Sequence, residues 1–265
     1  MSKLQYCYQK AKENKRNGYI IEAKNVTKIY AKSQRPSLNK VSFSVTDGEF
    51  IAIVGASGLG KTILLNVLST IDTPTSGSIT INGVNLKNLT DSKAADFRRD
   101  NLGFIFREYL LLDRLTIFEN IAAPLTLQKL PPKKIENMIR SLAKSFGIDA
   151  QLEKYPSELS GGQRRRASAL RAIVKRPGIL FADEPAGALD SSSATDLLNT
   201  LKESNESLHT TILMVTHDAY AASFADRILI FKDGCIIQEL LKQNADRRAF
   251  YESIAQITAK LDTER

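Results

Sequence analysis

Short apolar runs closed by turn residues fill residues 20–90 of the chain. YIIEAKNVTKIY, VSFSVTDGEF, EFIAIVG and GSITING each carry β-branched or aromatic residues bounded by Gly, Asp or Asn, which predicts strands. Within GEFIAIVG, Phe50, Ile51, Ile53 and Val54 form a short buried run. The spacing then changes. Across KTILLNVLSTI the apolar positions Leu64, Leu65, Val67, Leu68 and Ile71 recur at helical intervals. Residues 91–176 are mostly helical in pattern; Thr116 to Glu119 fits a capping box, and Pro131-Pro132 interrupt the segment that follows. From 178 to 237 the apolar strands GILFADE, TTILMVTH and RILIFKDG alternate with helical stretches, which predicts βαβ units and a parallel sheet. The tail DRRAFYESIAQITAKL places Phe250, Ile254, Ile257 and Leu261 on one stripe, an amphipathic helix expected to dock on its own domain.

Composition sharpens this α/β picture only in part. The 265 residues are 43% hydrophobic, enough for one full core with an inserted subdomain. No apolar run approaches the roughly 18–20 residues that span a bilayer. The first 18 residues lack the apolar centre of a secretory signal and read as a basic, solvated extension. Cys7 and Cys235 suggest neither a disulfide framework nor a metal site, so a reducing cytoplasm is the expectation. The net charge of +8 is concentrated: residues 93–176 hold 17 Lys and Arg against 9 Asp and Glu, leaving 20 of each sign elsewhere. Such a segment suits nucleic acid, anionic lipid headgroups or an acidic partner, and a solvated helical face accounts for the same count.

The chemistry enters with GASGLGKT, which fits G-x-x-x-x-G-K-[ST] directly after a predicted strand. In this loop Gly55, Ala56, Ser57, Gly58, Leu59 and Gly60 offer backbone N–H groups to phosphate oxygens, helped by the positive end of the helix that follows. Lys61 can reach the β- and γ-phosphates of a nucleoside triphosphate, and the Thr62 hydroxyl can ligate Mg²⁺. A second apolar strand ends in Asp183-Glu184, suited to holding the Mg²⁺ hydration shell and to deprotonating the attacking water, respectively. In isolation, two solvated acids at a strand end would be unremarkable. A third signal is LSGGQ: Ser160 can cap a helix whose Gly161 and Gly162 leave N–H groups open to an anion. With one nucleotide already cradled, this second start is expected to face a nucleotide held by another copy.

With these motifs together, residues 20 to 240 resemble the nucleotide-binding subunit of ABC transporters. The resemblance implies a P-loop NTPase parallel-sheet core with an antiparallel β subdomain and an inserted α-helical subdomain. It implies an ATP-binding domain over 19–240, its helical part about 91–176, followed by the C-terminal helix of 241–265. ATP and Mg²⁺ are the implied ligands, sandwiched between two copies. Tyr30 is implied to stack on adenine, Ser160 to Gln163 to contact the partner's nucleotide, Gly187 to Asp190 to cross the dimer interface, and His217 to contact the γ-phosphate. Read without the resemblance, Tyr30 and His217 would be packing residues at strand ends.

With one motif set and no membrane run, the permease is expected to be a separate integral-membrane chain, which places this subunit at the cytoplasmic face of the membrane. LLNVLSTIDTPTSGSITING, DFRRDNLGFIF and ENIAAPLTL resemble the lipoprotein-release and macrolide-export group. ALDSSSATDLL, HDAYAASFADRILIFKDG and DRRAFYESI most resemble its bacitracin and lantibiotic resistance branch, whose members often work beside a sensor kinase. No nucleic-acid partner is expected. Two residues depart from the family pattern. Ile63 replaces a second hydroxyl residue, a loss of about 0.5–1.5 kcal/mol at the α-phosphate that binding survives. Arg107 replaces the glutamine that ligates Mg²⁺; a guanidinium has no lone pair to offer. Three outcomes stand open for it: retuned hydrolysis, a side chain turned away, or help to the γ-phosphate as an arginine finger. The leading function is an ATPase that energises export of, resistance to, or target release from an antimicrobial peptide; the alternative is a weakly hydrolysing regulatory clamp.

Overall fold

A computed structural model describes the chain except residues 1–17, 32–34, 57–58, 188, 244 and 264–265. The strands in chain order are β1 (Tyr19–Lys28), β2 (Leu38–Thr46), β3 (Phe50–Val54), β4 (Ser76–Ile81), β5 (Val84–Asn85), β6 (Leu102–Ile105), β7 (Ile179–Asp183), β8 (Thr211–Thr216), β9 (Arg227–Lys232) and β10 (Cys235–Leu241). The α-helices are α1 (Leu59–Leu68), α2 (Asp91–Asn101), α3 (Ile117–Leu127), α4 (Pro132–Ser145), α5 (Gly161–Ile173), α6 (Ser191–Leu208), α7 (Ala219–Ala222) and α8 (Arg247–Thr263).

Six strands form the central sheet in the order β10-β9-β3-β8-β7-β6, parallel except where β10 returns along β9. Every residue of β3, β7 and β8 is buried, as a parallel sheet covered on both faces requires. The second sheet, β2-β1-β4-β5, is antiparallel. Its Ile21, Val26, Val45, Ile79 and Ile81 share one apolar cluster with the α1 residues Leu64, Leu65, Val67 and Leu68 and with one face of the central sheet. The other face packs against α3, α4, α5 and α6, and Phe250 and Ile254 of α8 join that cluster. This is the parallel core, antiparallel sheet and helical insertion expected.

The local starts follow the residues. Thr116 accepts from the Glu119 N–H at 3.2 Å while the Glu119 carboxylate accepts from Thr116 N–H at 2.8 Å, so α3 opens on the anticipated capping box. α4 opens on Pro132, whose missing N–H costs nothing at a helix start. In α8, Ile257 is partly buried against the core; the side chain of Leu261 lies outside the described residues.

Three expectations need correction. α1 ends at Leu68 rather than running through Ile71: Thr70 takes a left-handed backbone (φ 61°), the Ile71 and Asp72 N–H groups both turn back to Asn66 O, and Ile71 is left half-exposed. The segment 91–176 also contains a strand of the main sheet, β6, which pairs with β7. With four residues, one of them glycine, it carries too little alternation to reveal itself. Finally, part of the basic surplus faces inward. Arg98 donates to Thr70 O at 2.9 Å, and Lys175 caps the last turn of α2 through Arg98 O at 3.1 Å and Arg99 O at 2.7 Å. These cations serve backbone carbonyls, a use that neither a solvated face nor a partner surface anticipates.

Candidate nucleotide-binding site

The loop between β3 and α1 lies at the C-terminal end of the sheet's central strand, where open α/β sheets gather their ligands. It also passes close to β9. A Cβ on Gly55 would collide with the Phe231 carbonyl, and one on Gly60 would lie 2.7 Å from the Phe231 ring, so glycine here is a demand of close approach. Ser57 and Gly58 lie outside the described residues, as does the Leu59 side chain. Lys61 is 4% exposed, and its ammonium donates to Gly55 O at 2.9 Å and Ala56 O at 2.7 Å. Burial lowers its pKa; the carboxylates of Glu184 and Asp183 oppose that shift, and the Arg107 charge adds to it. Ile63 is buried among apolar neighbours, so toward a phosphate it can offer only its backbone N–H.

β7 delivers the two acids. Thr62 Oγ1 donates to Asp183 Oδ1 at 3.3 Å, which juxtaposes a hydroxyl and a carboxylate at the loop. Burial raises the Asp183 pKa, opposed by the hydrogen bond from Thr62 and by the charges of Arg107 and Lys61. This oxygen-only pair fits Mg²⁺, which keeps most of its water and takes one or two protein ligands beside substrate phosphates. Glu184 follows in a left-handed conformation (φ 48°), fixed by its N–H to Val215 O at 2.9 Å and by Gly187 N–H to its own carbonyl at 3.0 Å. Its carboxylate accepts from Thr216 Oγ1 at 3.1 Å and from His217 N–H at 3.1 Å, and meets His217 Nδ1 at 2.8 Å. An ionised carboxylate only accepts, so Nδ1 is the donor in this contact.

Lys61, Thr62, Asp183, Glu184 and His217 are thus brought together. Arg107 is exposed, and its charge is felt at Lys61, Asp183 and Arg165. Tyr30 stands just past β1, with its hydroxyl donating to Asp72 at 2.7 Å and the Lys28 ammonium 4.8 Å from its ring centre. That hydrogen bond, with burial and the Asp72 charge, pushes its pKa up to about 12. Ser160 and Gln163 form a reciprocal capping box at the start of α5, and Asp190 caps α6 through Ser193 N–H at 2.9 Å, a bond that lowers its pKa. The two helix starts adjoin: a Cβ on Gly162 would lie 3.5 Å from Ser193 Oγ, and one on Gly161 3.7 Å from the Tyr109 hydroxyl. Sequence reasoning missed Thr216 and Asp72, polar partners of residues it did select. The signal for Thr216 was a hydroxyl at the strand end just before His217.

A parallel sheet with a phosphate-type loop after its central strand and an acid pair at the end of the strand one removed from it defines a P-loop nucleoside triphosphatase. The helix start at Ser160 separates it from the simpler members of that class. The chain matches the ABC transporter family over residues 38–187 and belongs to that family, as an ATP-binding subunit with ATPase chemistry. It is 48% identical to the bacitracin export ATP-binding protein BceA of Halalkalibacterium halodurans, over 89% of this chain and 94% of that protein. It is 44% identical to the ABC transporter ATP-binding protein YxdL of Bacillus subtilis, over 91% and 94% respectively. Among solved structures, the dimeric post-hydrolysis state of the ATP-binding cassette MJ0796, bound to ADP and Pi, superposes with a TM-score of 0.80 at 33% identity, covering 84% of this chain and 99% of that one. The alternative of a weakly hydrolysing clamp is not favoured by these relatives.

Proposed function

We propose that this chain binds ATP with Mg²⁺ between two of its copies and energises a separate membrane permease that exports, or frees a target from, an antimicrobial peptide. The observation that carries the reading is the convergence of Lys61, Thr62, Asp183, Glu184 and His217 around one loop. Lys61 is placed to trade its loop carbonyls for phosphate oxygens, and the two nearby carboxylates oppose the lowering of its pKa by burial. Thr62 and Asp183 would hold Mg²⁺, which when bound neutralises charge on the β- and γ-phosphates. Glu184 would accept the proton of the attacking water, while Thr216 and His217 fix its carboxylate in one orientation. Tyr30 would stack on the adenine. Ser160 to Gln163 and Asp190 would serve the nucleotide of the second copy, in keeping with the dimeric state of MJ0796.

The permease would seat on the segment after Arg107, where Leu110, Leu112 and Leu127 are each more than half exposed. The helical part of 91–176 would be the subdomain that carries this contact. Among the described residues no helix is long and apolar enough to cross a membrane, so attachment to the cytoplasmic membrane face would come through the permease. A sensor kinase would be a further partner of the same complex. The decisive measurement is steady-state phosphate release by the complex with its cognate permease in lipid vesicles, with and without bacitracin. Peptide-stimulated turnover is expected; a complex whose turnover ignores every such peptide would dispose of the peptide assignment.

A further inference from the structure

Among the described residues Arg165 is the largest that is fully buried, with 1% of its surface exposed. Among the described residues no carboxylate forms an ion pair with it, although the charges of Glu184 and Asp183 are felt there. One terminal nitrogen donates to Phe106 O at 3.0 Å and the other to Gly187 O at 2.8 Å, while the Tyr109 ring lies 4.7 Å from the guanidinium carbon. Its Nε has no hydrogen-bond partner among the described residues. Burying a guanidinium on two carbonyls and a ring face is expensive, and an apolar side chain of similar volume would pack the same space at less cost. The two carbonyls are informative. Phe106 immediately precedes Arg107, and Gly187 closes the turn that leaves Glu184. Arg165 itself sits on the second turn of α5, whose first residues follow Ser160. Ser168 and Arg171 extend the same grip, donating to Tyr109 O at 2.9 and 2.8 Å, across a stretch where Tyr109 and Leu110 both take left-handed backbones.

We propose that Arg165 is a positioning residue that ties the Arg107 loop to the Glu184 turn, so that movement of α5 shifts both sides of the hydrolytic centre together. The fork is suited to this, because two parallel donors fix a plane where a single ammonium would fix one point. The proposal rests on the ATPase reading above and adds a route to it: the helix start expected to meet the second copy's nucleotide is the helix that holds this chain's own catalytic loops.

The test uses the full chain as wild type, Arg165→Gln, Arg165→Lys, Arg107→Ala and the Arg165→Gln/Arg107→Ala pair. In Arg165→Gln, amide exchange should accelerate about tenfold in both 104–112 and 184–190, with 19–46 unchanged. Turnover should fall about tenfold with KM for ATP within about threefold, the mark of a lost transition-state geometry. Arg165→Lys should not restore it, and the loss should shrink in the Arg107→Ala background because the two residues act as one unit. Should Arg165→Gln fail to fold, Tyr109→Leu removes the ring from under the guanidinium, and the same two segments should loosen about threefold. Exchange that changes in only one segment, unaltered turnover, full rescue by lysine, or an equal loss without Arg107 would each overturn the assignment. A wild-type chain without ATP turnover would overturn the ATPase reading as well, and is told apart because it is seen before any substitution is made.

Discussion

At Arg107 a permanent positive charge is felt at Lys61 and Asp183, in the site proposed to gather Mg²⁺ and triphosphate. The charge repels the metal and attracts the phosphates, so its effect belongs to the metal dependence as much as to the rate. Arg107→Gln should raise turnover about threefold to tenfold and lower the Mg²⁺ concentration needed for half-maximal rate, read by phosphate release across a metal titration. If neither quantity moves, the side chain is not part of the site. The intact loop and acids mean that ATP affinity should change less than either.

At the scale of elements, what a sequence exposes depends on how local the interaction is. The β3–loop–α1 unit, the Thr116 capping box and the buried strands were legible because neighbouring residues determine them. The short β6 was not, since its strand character comes from pairing with β7 across a long separation. Nor were Arg165, Thr216 and Lys175, whose roles are set by partners distant in the chain. Asn120 is of the same kind. Fully buried on α3, it accepts from Leu112 N–H and donates to the carbonyls of Leu112, Leu115 and Thr116, shaping the loop proposed to receive the permease. Asn120→Ala should cost about 2–3 kcal/mol, visible in urea unfolding, because those buried groups lose their partner together. Lys175 gives α2 a pH dependence. Burial, the main cause, lowers its pKa to about 8; the attracting Asp100 opposes that shift and the repelling Arg99 adds to it. The folded state therefore releases this proton before the unfolded chain does. Its contribution to stability should rise with pH from about 8 to about 10.5, by up to roughly 3 kcal/mol. The unfolding free energy of wild type minus that of Lys175→Met should increase over that window and stay flat below it.

For the whole molecule, what matters is that the residues proposed to serve the nucleotide fall on different elements in two sets. Lys61, Thr62, Asp183, Glu184 and His217 occupy the end of the sheet, whereas Ser160 and Asp190 open the adjoining helices α5 and α6. In the proposed dimer a second copy would bring the sets together. Glu184→Gln keeps the shape of the side chain but removes the base, its amide nitrogen being unable to accept as a carboxylate oxygen does, so turnover should drop about 100-fold or more. With ATP and Mg²⁺ present the variant should elute as a dimer on gel filtration, and a monomer at saturating nucleotide would count against the sandwich.

The capping box at Ser160 has one more consequence. The hydroxyl accepts a hydrogen bond from Gln163 N–H, and the Gln163 side-chain carbonyl accepts one from Ser160 N–H, so the cap uses only the lone pairs of the serine oxygen. The hydroxyl hydrogen is not spent on holding the helix. Ser160 can therefore donate a hydrogen bond to an incoming phosphate without loosening α5, and the two duties can be separated by chemistry. Aspartate caps a helix as well as serine but has no hydrogen to give and carries the wrong charge for an anion. Ser160→Asp should leave melting and ATP binding to the isolated chain intact, while abolishing the nucleotide-dependent pairing of Glu184→Gln chains. It would uncouple folding of the helix from recognition at its tip.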